Sequence, residues 1–257
     1  MVAAAPRSNR LGSQTISRPA PAIILFGSPG SGKGTQAKLL RHNLKIPHIS
    51  TGDMLRAHIA AGDEIGEQSR GLLRSGKLVS DELVNELVRA RISEPDCRSG
   101  IILDGYPRTV NQAGVLLDMM QQNGFRPAVI HLMVDYEKIV ARLTGRRQCP
   151  VCGTLYSLTT HPPKVEGVCD LDGATLVPRD DDRESVIRER LDQYDMQTRP
   201  LLNYFRQAGV PVIKIDGAAA SPENIMRHIS DSLASLGLID PSVYPREAPA
   251  SEAGVTR

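Results

Sequence analysis

The chain has 257 residues, enough for one substantial core, and its hydrophobic (40%) and charged (23%) fractions are those of an ordinary globular protein. Lys plus Arg number 31 against Asp plus Glu 29, so net charge offers no argument for a nucleic-acid partner, and with Phe 3, Tyr 6 and Trp 0 the interleaved aromatics of nucleic-acid surfaces are missing. No apolar run approaches the roughly 18 to 20 residues that span a bilayer, no secretory signal is recognisable, and four cysteines are too few and too uneven for a disulfide framework, so a soluble, non-secreted, cytoplasmic protein is expected.

Residues 1–21 hold Arg7, Arg10 and Arg18, several Ser and no acidic residue, the composition of a mitochondrial transit peptide. On a helix, however, Leu11 would share the arginine face, and Pro6, Gly12 and Pro19 would interrupt it. A disordered tail is expected, with organelle targeting as the alternative. Ala22–Phe26 is apolar on both faces and runs into a glycine loop, and Ile101–Asp104, Val129–Met133 and Pro211–Ile215 have the same character, which suits strands of a parallel sheet covered on both sides. Between them, residues 36–44, 110–123, 184–208 and 222–236 read as helices. Strand and helix in alternation predict a three-layer α/β fold with ligands at the carboxyl ends of the strands. Residues 50–80 and 145–182 break the rhythm and read as insertions over the site, in a domain of residues 22–239 whose core is 22–49, 81–144 and 183–239. Residues 240–257, rich in Pro, Ala and Ser, read as a second tail.

Gly27-Ser28-Pro29-Gly30-Ser31-Gly32-Lys33 matches G-x-x-x-x-G-K between a predicted strand and a predicted helix, the context a phosphate-binding loop needs. Its glycines let backbone N–H groups converge on phosphate oxygens, the helix N-terminus adds partial positive charge, and Lys33 reaches the β and γ phosphates. Where generic loops place a Ser or Thr on Mg²⁺ this chain has Gly34, followed by Thr35. Asp104 ends an apolar strand, where a carboxylate either orients water on Mg²⁺ or is simply a satisfied strand end. Arg142, Arg146 and Arg147 bracket the second insertion at its start, and Arg179 and Arg190 at its end: either a solvated basic face or guanidinium groups converging on a polyanion. Inside that insertion Cys149, Cys152, Cys169 and Asp172 form C-x₂-C-x₁₆-C-x₂-D, a tetrahedral zinc pattern in which His161 competes with Asp172 as fourth ligand. Cys97 is remote and reads as an ordinary thiol.

From Ile23 to Gly217 the chain resembles the adenylate kinase family. The resemblance is carried by Gly27 to Gln36 in the form G-x-P-G-x-G-K-G-T-Q, by Ser50-Thr51-Gly52-Asp53-Met54-Leu55-Arg56, by Asp104-Gly105-Tyr106-Pro107-Arg108-Thr109, by Gly145-Arg146-Arg147 and by Arg179-Asp180-Asp181-Asp182. It implies reversible phosphoryl transfer from Mg-ATP to AMP, giving two ADP. By resemblance, Gly30, Ser31, Gly32, Lys33, Gly34 and Thr35 hold ATP phosphates, Arg142 and Arg146 belong with ATP, Leu155 and Tyr156 match a lid turn near its ribose and base, and the loop at Ala219 meets its adenine. Thr51, Arg56, the strip Lys77-Leu78-Val79, Gly105, Tyr106, Pro107, Arg108, Gln112, Arg179 and Arg190 belong with AMP, and Gln112 reads the adenine edge. Catalysis falls to Lys33, Asp104, Arg108, Arg146, Arg179 and Arg190. No general base is required, because the attacking AMP oxygen is already largely ionised. Some lids of the family carry the three-Cys, one-Asp site as structural zinc. A monomer without nucleic-acid or membrane partners is expected. A relative that phosphorylates UMP, CMP or GMP, or that draws on GTP, is the nearest alternative.

Overall fold

Strands that are apolar on both faces need cover on both sides, and the computed structural model, which describes residues 19–158, 161–218 and 221–243, arranges them accordingly. Strands β1 (Ala20–Phe26), β2 (His48–Ser50), β3 (Ile101–Asp104), β4 (Phe125–Met133) and β7 (Val212–Asp216) form one parallel sheet in the order β2-β3-β1-β4-β7. Alternate residues of β1 serve opposite layers. Ala22, Ile24 and Phe26 pack with α4 (Asp81–Ile92), α5 (Val110–Gln122) and α8 (Leu201–Gln207), whereas Ile23 and Leu25 pack with α1 (Lys33–Leu44) and α9 (Pro222–Ser235). Because β1 is central, the loop that leaves it lies in the middle of the carboxyl edge.

The two insertions have structure of their own. Residues 50–80 form α2 (Thr51–Ala61) and α3 (Glu64–Ser75), started by Ser50 Oγ accepting from the Asp53 amide and by Asp63 Oδ1 accepting from the Gly66 amide. Gly66 lets the two helices touch: a Cβ there would lie 2.2 Å from the His58 carbonyl oxygen. After α6 (Tyr136–Thr144), β5 (Arg146–Gln148) and β6 (Leu155–Ser157) pair antiparallel over a small core of Cys149, Tyr156, Cys169 and Leu176.

Several boundaries differ from expectation. β1 begins at Ala20, inside the tail expected to reach residue 21, because Ala20 and Pro21 pair with Phe125 and Arg126 of a longer β4. Strand β2, three residues long, carried no sequence signal. The single helix expected over 184–208 is three pieces: α7 (Glu184–Gln193), a wide turn over Tyr194–Thr198 closed by Arg199 N–H donating to Tyr194 O at 2.8 Å, and α8. Pro200, which has no N–H, stands where the wide turn gives way to α8. At the other end, where a structureless tail was expected from residue 240, Pro241–Val243 makes one 3₁₀ turn, with Asp240 Oδ1 accepting from Ser242 N. Residues 1–18 and 244–257, and with them most of both expected tails, lie outside the described residues. No helix among the described residues is long and apolar enough to cross a membrane.

Candidate active site

The glycine loop joins β1 to α1. Gly32 caps α1 without a side-chain hydrogen bond, so the first amides of the helix have no side-chain competitor for an anion. Gly30 has φ +80, and a Cβ on it would meet Leu143 Cγ at 2.9 Å, so only glycine lets the loop lie this close to α6. The Lys33 ammonium folds back over the loop, donating to Gly27 O at 2.8 Å and Ser28 O at 2.9 Å. Burial pushes its pKa down to about 8; Asp104 counters this, while Arg108, Arg190 and Arg146 add to it.

Asp104 closes β3 in register with Leu25 of β1, which sets a carboxylate beside the loop. Burial opposes its charge, but His48, 3.4 Å from Oδ2, and the Lys33 ammonium hold its pKa below the usual carboxylate value. Gly34 leaves the space in front of this carboxylate open, since even a Cβ there would lie 3.7 Å from Oδ2, and Thr35 is exposed. A hard oxygen donor at a strand end, next to a phosphate loop, fits Mg²⁺ carried by a nucleotide.

On the other side of Asp104 the chain runs through Gly105, Tyr106, Pro107 and Arg108 into α5. Three side chains secure this turn. Thr51 Oγ1 donates to Gly105 O at 2.9 Å, Arg108 Nε donates to the same oxygen at 2.8 Å, and Gln112 Oε1 accepts from Arg108 N at 2.7 Å. The wide turn before Pro200 adds Thr198 Oγ1, which donates to Arg108 O at 3.0 Å. Tyr106 is buried and donates to Asn85 Oδ1 at 2.6 Å. Arg56, one turn along α2 from Asp53, pairs with that carboxylate. Of the strip between α3 and α4, Lys77 is exposed, Leu78 half-buried and Val79 buried.

Three of the arginines around the second insertion, Arg146, Arg179 and Arg190, converge, whereas Arg147 donates to Thr144 O at 3.0 Å and Arg146 O at 2.8 Å. Arg146 makes a two-pronged pair with Asp182, Arg179 another with Asp181 at 2.9 and 2.8 Å, and Arg190 donates to Asp181 O at 2.9 Å and lies 3.1 Å from Asp181 Oδ2. Arg108 and Arg56 feel the charge of Asp181 as well. Arg190 is so enclosed that burial pulls its pKa down to about 10. Lys33, Arg56, Arg108, Arg146, Arg179 and Arg190 are thus six cations against the four carboxylates of Asp53, Asp104, Asp181 and Asp182. The site is a positively charged cluster with its own counter-ions. The roles of Asp181 and Asp182 escaped the sequence reading, although the Asp180–Asp182 run is their signal; an acidic run normally means a solvated face, yet Asp182 is 9% exposed.

A family model described as adenylate kinase matches residues 25–210. The adenylate kinase of Clostridium acetobutylicum is 49% identical over 197 residues, covering 76% of this chain and 91% of its own length. That of Moorella thermoacetica is 47% identical over 205 residues (79% and 94%), and that of Methanococcoides burtonii 46% over 199 residues (77% and 92%). The chain belongs to the adenylate kinase family. It is a kinase that moves a phosphoryl group between ATP and AMP.

Not every expected residue joins the cluster. Arg142, in the last turn of α6, donates to Gly217 O at 3.0 Å, tying the loop after β7 to α6. Tyr156 is 3% exposed and turns into the insertion's own core, its hydroxyl 3.4 Å from Cys169 Sγ, while the neighbouring Leu155 is half-buried. Ala219 lies outside the described residues.

Within the second insertion Cys149, Cys152, Cys169 and Asp172 present ligand atoms that all lie within 4.8 Å of one another. Cys152 and Cys169 sulfurs are 3.6 Å apart, and Cys149 Sγ is 3.2 Å from Asp172 Oδ2. Zn–S bonds of about 2.3 Å at the tetrahedral angle set sulfurs roughly 3.8 Å apart, so the donors suit zinc in both type and spacing. The Val151 and Cys152 amides, each 3.4 Å from Cys149 Sγ, complete a knuckle that would stabilise a thiolate. His161, the competing ligand, stands outside this group and stacks on the Tyr156 ring.

Proposed function

We propose that the phosphate loop and Arg146 hold Mg-ATP, that Thr51, Arg56, Gln112 and the strip Lys77–Val79 hold AMP, and that Lys33, Arg108, Arg146, Arg179 and Arg190 stabilise the phosphoryl group in flight. The observation that carries this reading is the convergence of these cations around Asp104, Asp181 and Asp182. In-line transfer spreads charge over equatorial oxygens of a loose transition state, so positioning and guanidinium groups are enough and no base is needed. Phosphates entering the cluster take over the arginines from Asp181 and Asp182. Mg²⁺ would supply neutralising charge to the ATP phosphates, and Asp104 is the residue that would orient its water. Residues 50–80 act as the AMP-binding insertion and 145–182 as a lid over a core of 22–49, 81–144 and 183–239, with a structural zinc at Cys149, Cys152, Cys169 and Asp172. Arg142 and the chain through Gly217 to Ala219 border the ATP base, and Leu155 and Tyr156 bring the lid hairpin toward its ribose. Two small-molecule substrates held by one chain require neither a second copy nor a membrane or nucleic acid, and free thiols fit a reducing cytoplasm.

The acceptor assignment is tested by a coupled assay with Mg-ATP and each nucleoside monophosphate. AMP should react far faster than UMP, CMP or GMP, and an equal rate with UMP would contradict it. The depressed Lys33 pKa gives a pH signature. Below about 8 the free enzyme presents an ammonium to the triphosphate; above it the charge is lost, so kcat/KM for Mg-ATP should fall by up to tenfold per pH unit. Bound phosphates favour the charged form, which should carry the break in kcat to higher pH. A kcat/KM profile that stays flat from pH 7.5 to 9.5 would remove Lys33 from the triphosphate.

A further inference from the structure

Asp81 is the first residue of α4, yet it does not serve as the helix cap: Ser80 does, with Oγ accepting from Leu83 N at 3.4 Å. Its carboxylate leaves the helix and crosses to the start of α5. There Oδ2 accepts from Thr109 Oγ1 at 2.7 Å and Asn111 Nδ2 at 3.2 Å, and Oδ1 accepts from Gln112 Nε2 at 2.8 Å. The other end of the Gln112 amide accepts from the Arg108 backbone N–H at 2.7 Å. A carboxylate only accepts and a backbone N–H only donates, so the amide has one permitted orientation. Turned over, its oxygen would face a carboxylate and its NH₂ would face an N–H. Gln112 is 2% exposed, so water offers no substitute for either partner.

We propose that Asp81 is a specificity-determining positioning residue, which locks the Gln112 amide in the one orientation that pairs with adenine and opposes purines carrying an oxygen at position 6. This rests on the reading of Gln112 as the group that meets the base. Adenine presents a donor at N6 and an acceptor at N1; hypoxanthine and guanine present an acceptor at O6 and a donor at N1. A freely turning amide would serve both patterns. Held at both ends, Gln112 offers its second lone pair and its second N–H in a fixed order, and a base of reversed polarity meets donor against donor. The lock also joins the two ends of AMP recognition, because the N–H that fixes the amide belongs to Arg108, the residue assigned to the phosphate.

Asp81→Asn is the informative change. Thr109 and Asn111 both donate to Oδ2, so the asparagine oxygen should take that place and turn its NH₂ toward Gln112, which favours the reversed amide. The experiment measures kcat/KM with Mg-ATP for AMP and for IMP, which differs from AMP in the polarity of this edge. A good pair of hydrogen bonds to a base edge discriminates by about tenfold or more. The AMP to IMP ratio should therefore fall by about that factor in Asp81→Asn, while KM for Mg-ATP stays within about twofold of wild type. Asp81→Glu, which keeps an acceptor-only group, should retain more of the ratio, and equilibrium binding of AMP and IMP should follow the same order. A ratio unchanged in Asp81→Asn, whatever its melting temperature, overturns the proposal. Gln112→Leu separates the two layers: if it alone collapses the ratio, Gln112 reads the base without Asp81, and if it leaves the ratio intact the reading of Gln112 itself fails.

Discussion

Lys33→Met and Arg108→Ala should each lose about 10³-fold or more in kcat/KM, roughly 4 kcal/mol of transition-state stabilisation, with melting temperatures near that of wild type. The stability side is close to balanced. Lys33 makes two hydrogen bonds to Gly27 O and Ser28 O, each with a net contribution of about 1 kcal/mol, but its buried ammonium is desolvated and stands near the guanidinium groups of Arg108, Arg190 and Arg146. Removing the charge relieves that repulsion while it costs those bonds. Arg108 likewise gives up one side-chain bond, to Gly105 O, while its backbone partners Gln112 and Thr198 remain. In the transition state neither loss is balanced, because charge grows on the phosphoryl oxygens that, on the proposed reading, these two cations neutralise. Steady-state kinetics with Mg-ATP and AMP, beside a thermal melt, decides it. Near-normal turnover in either variant would place the transferred group elsewhere, and a collapsed melt would make the residue structural.

Cys149→Ser or Cys169→Ser should remove bound zinc and lower the melting temperature by on the order of 10 °C, while chemistry at low temperature survives in part. All four donors come from one insertion, so a closed shell of three thiolates and a carboxylate leaves no position for activated water. Among the described residues the buried apolar cluster there consists of Cys149, Tyr156, Cys169 and Leu176, too little to order the knuckles without metal. Arg146 enters the same hairpin at β5, which links lid order to the charged cluster through its pair with Asp182. Loosening the lid should thus raise KM and admit water before it abolishes transfer. Elemental analysis of untagged protein should find about one zinc per wild-type chain and none in the variants. A metal-free wild type ends the proposal, and a folded variant without any chemistry would contradict a purely structural role.

What the sequence by itself determined was whatever is encoded over a few consecutive residues. The loop Gly27–Lys33 and the strand Ile101–Asp104 each write a backbone shape into one short run, and Cys149, Cys152, Cys169 and Asp172 write a ligand spacing into one segment, so none of the three needs distant segments to be recognised. Periodicity found α1, α5, α7 to α8 and α9 but not α2, α3, α4 or α6, and it overran the break before Pro200, where the wide turn buries Tyr194 and Thr198. Three-residue β2 has no period to detect, and it exists because β3 supplies its hydrogen bonds. Which atoms a polar side chain meets was decided only by the tertiary structure. Asp182, which the sequence offered only as the end of the motif Arg179-Asp180-Asp181-Asp182, proves to be the buried counter-ion of Arg146, 36 residues away. Tyr156 turned into the core of its own insertion, and Asp81 reached Gln112 across 31 residues. The physical reason is common to all three. A buried charge or hydrogen-bonding group must find a partner, but the partner's identity depends on which segments the sheet and the insertions bring together, and no local run of residues records it.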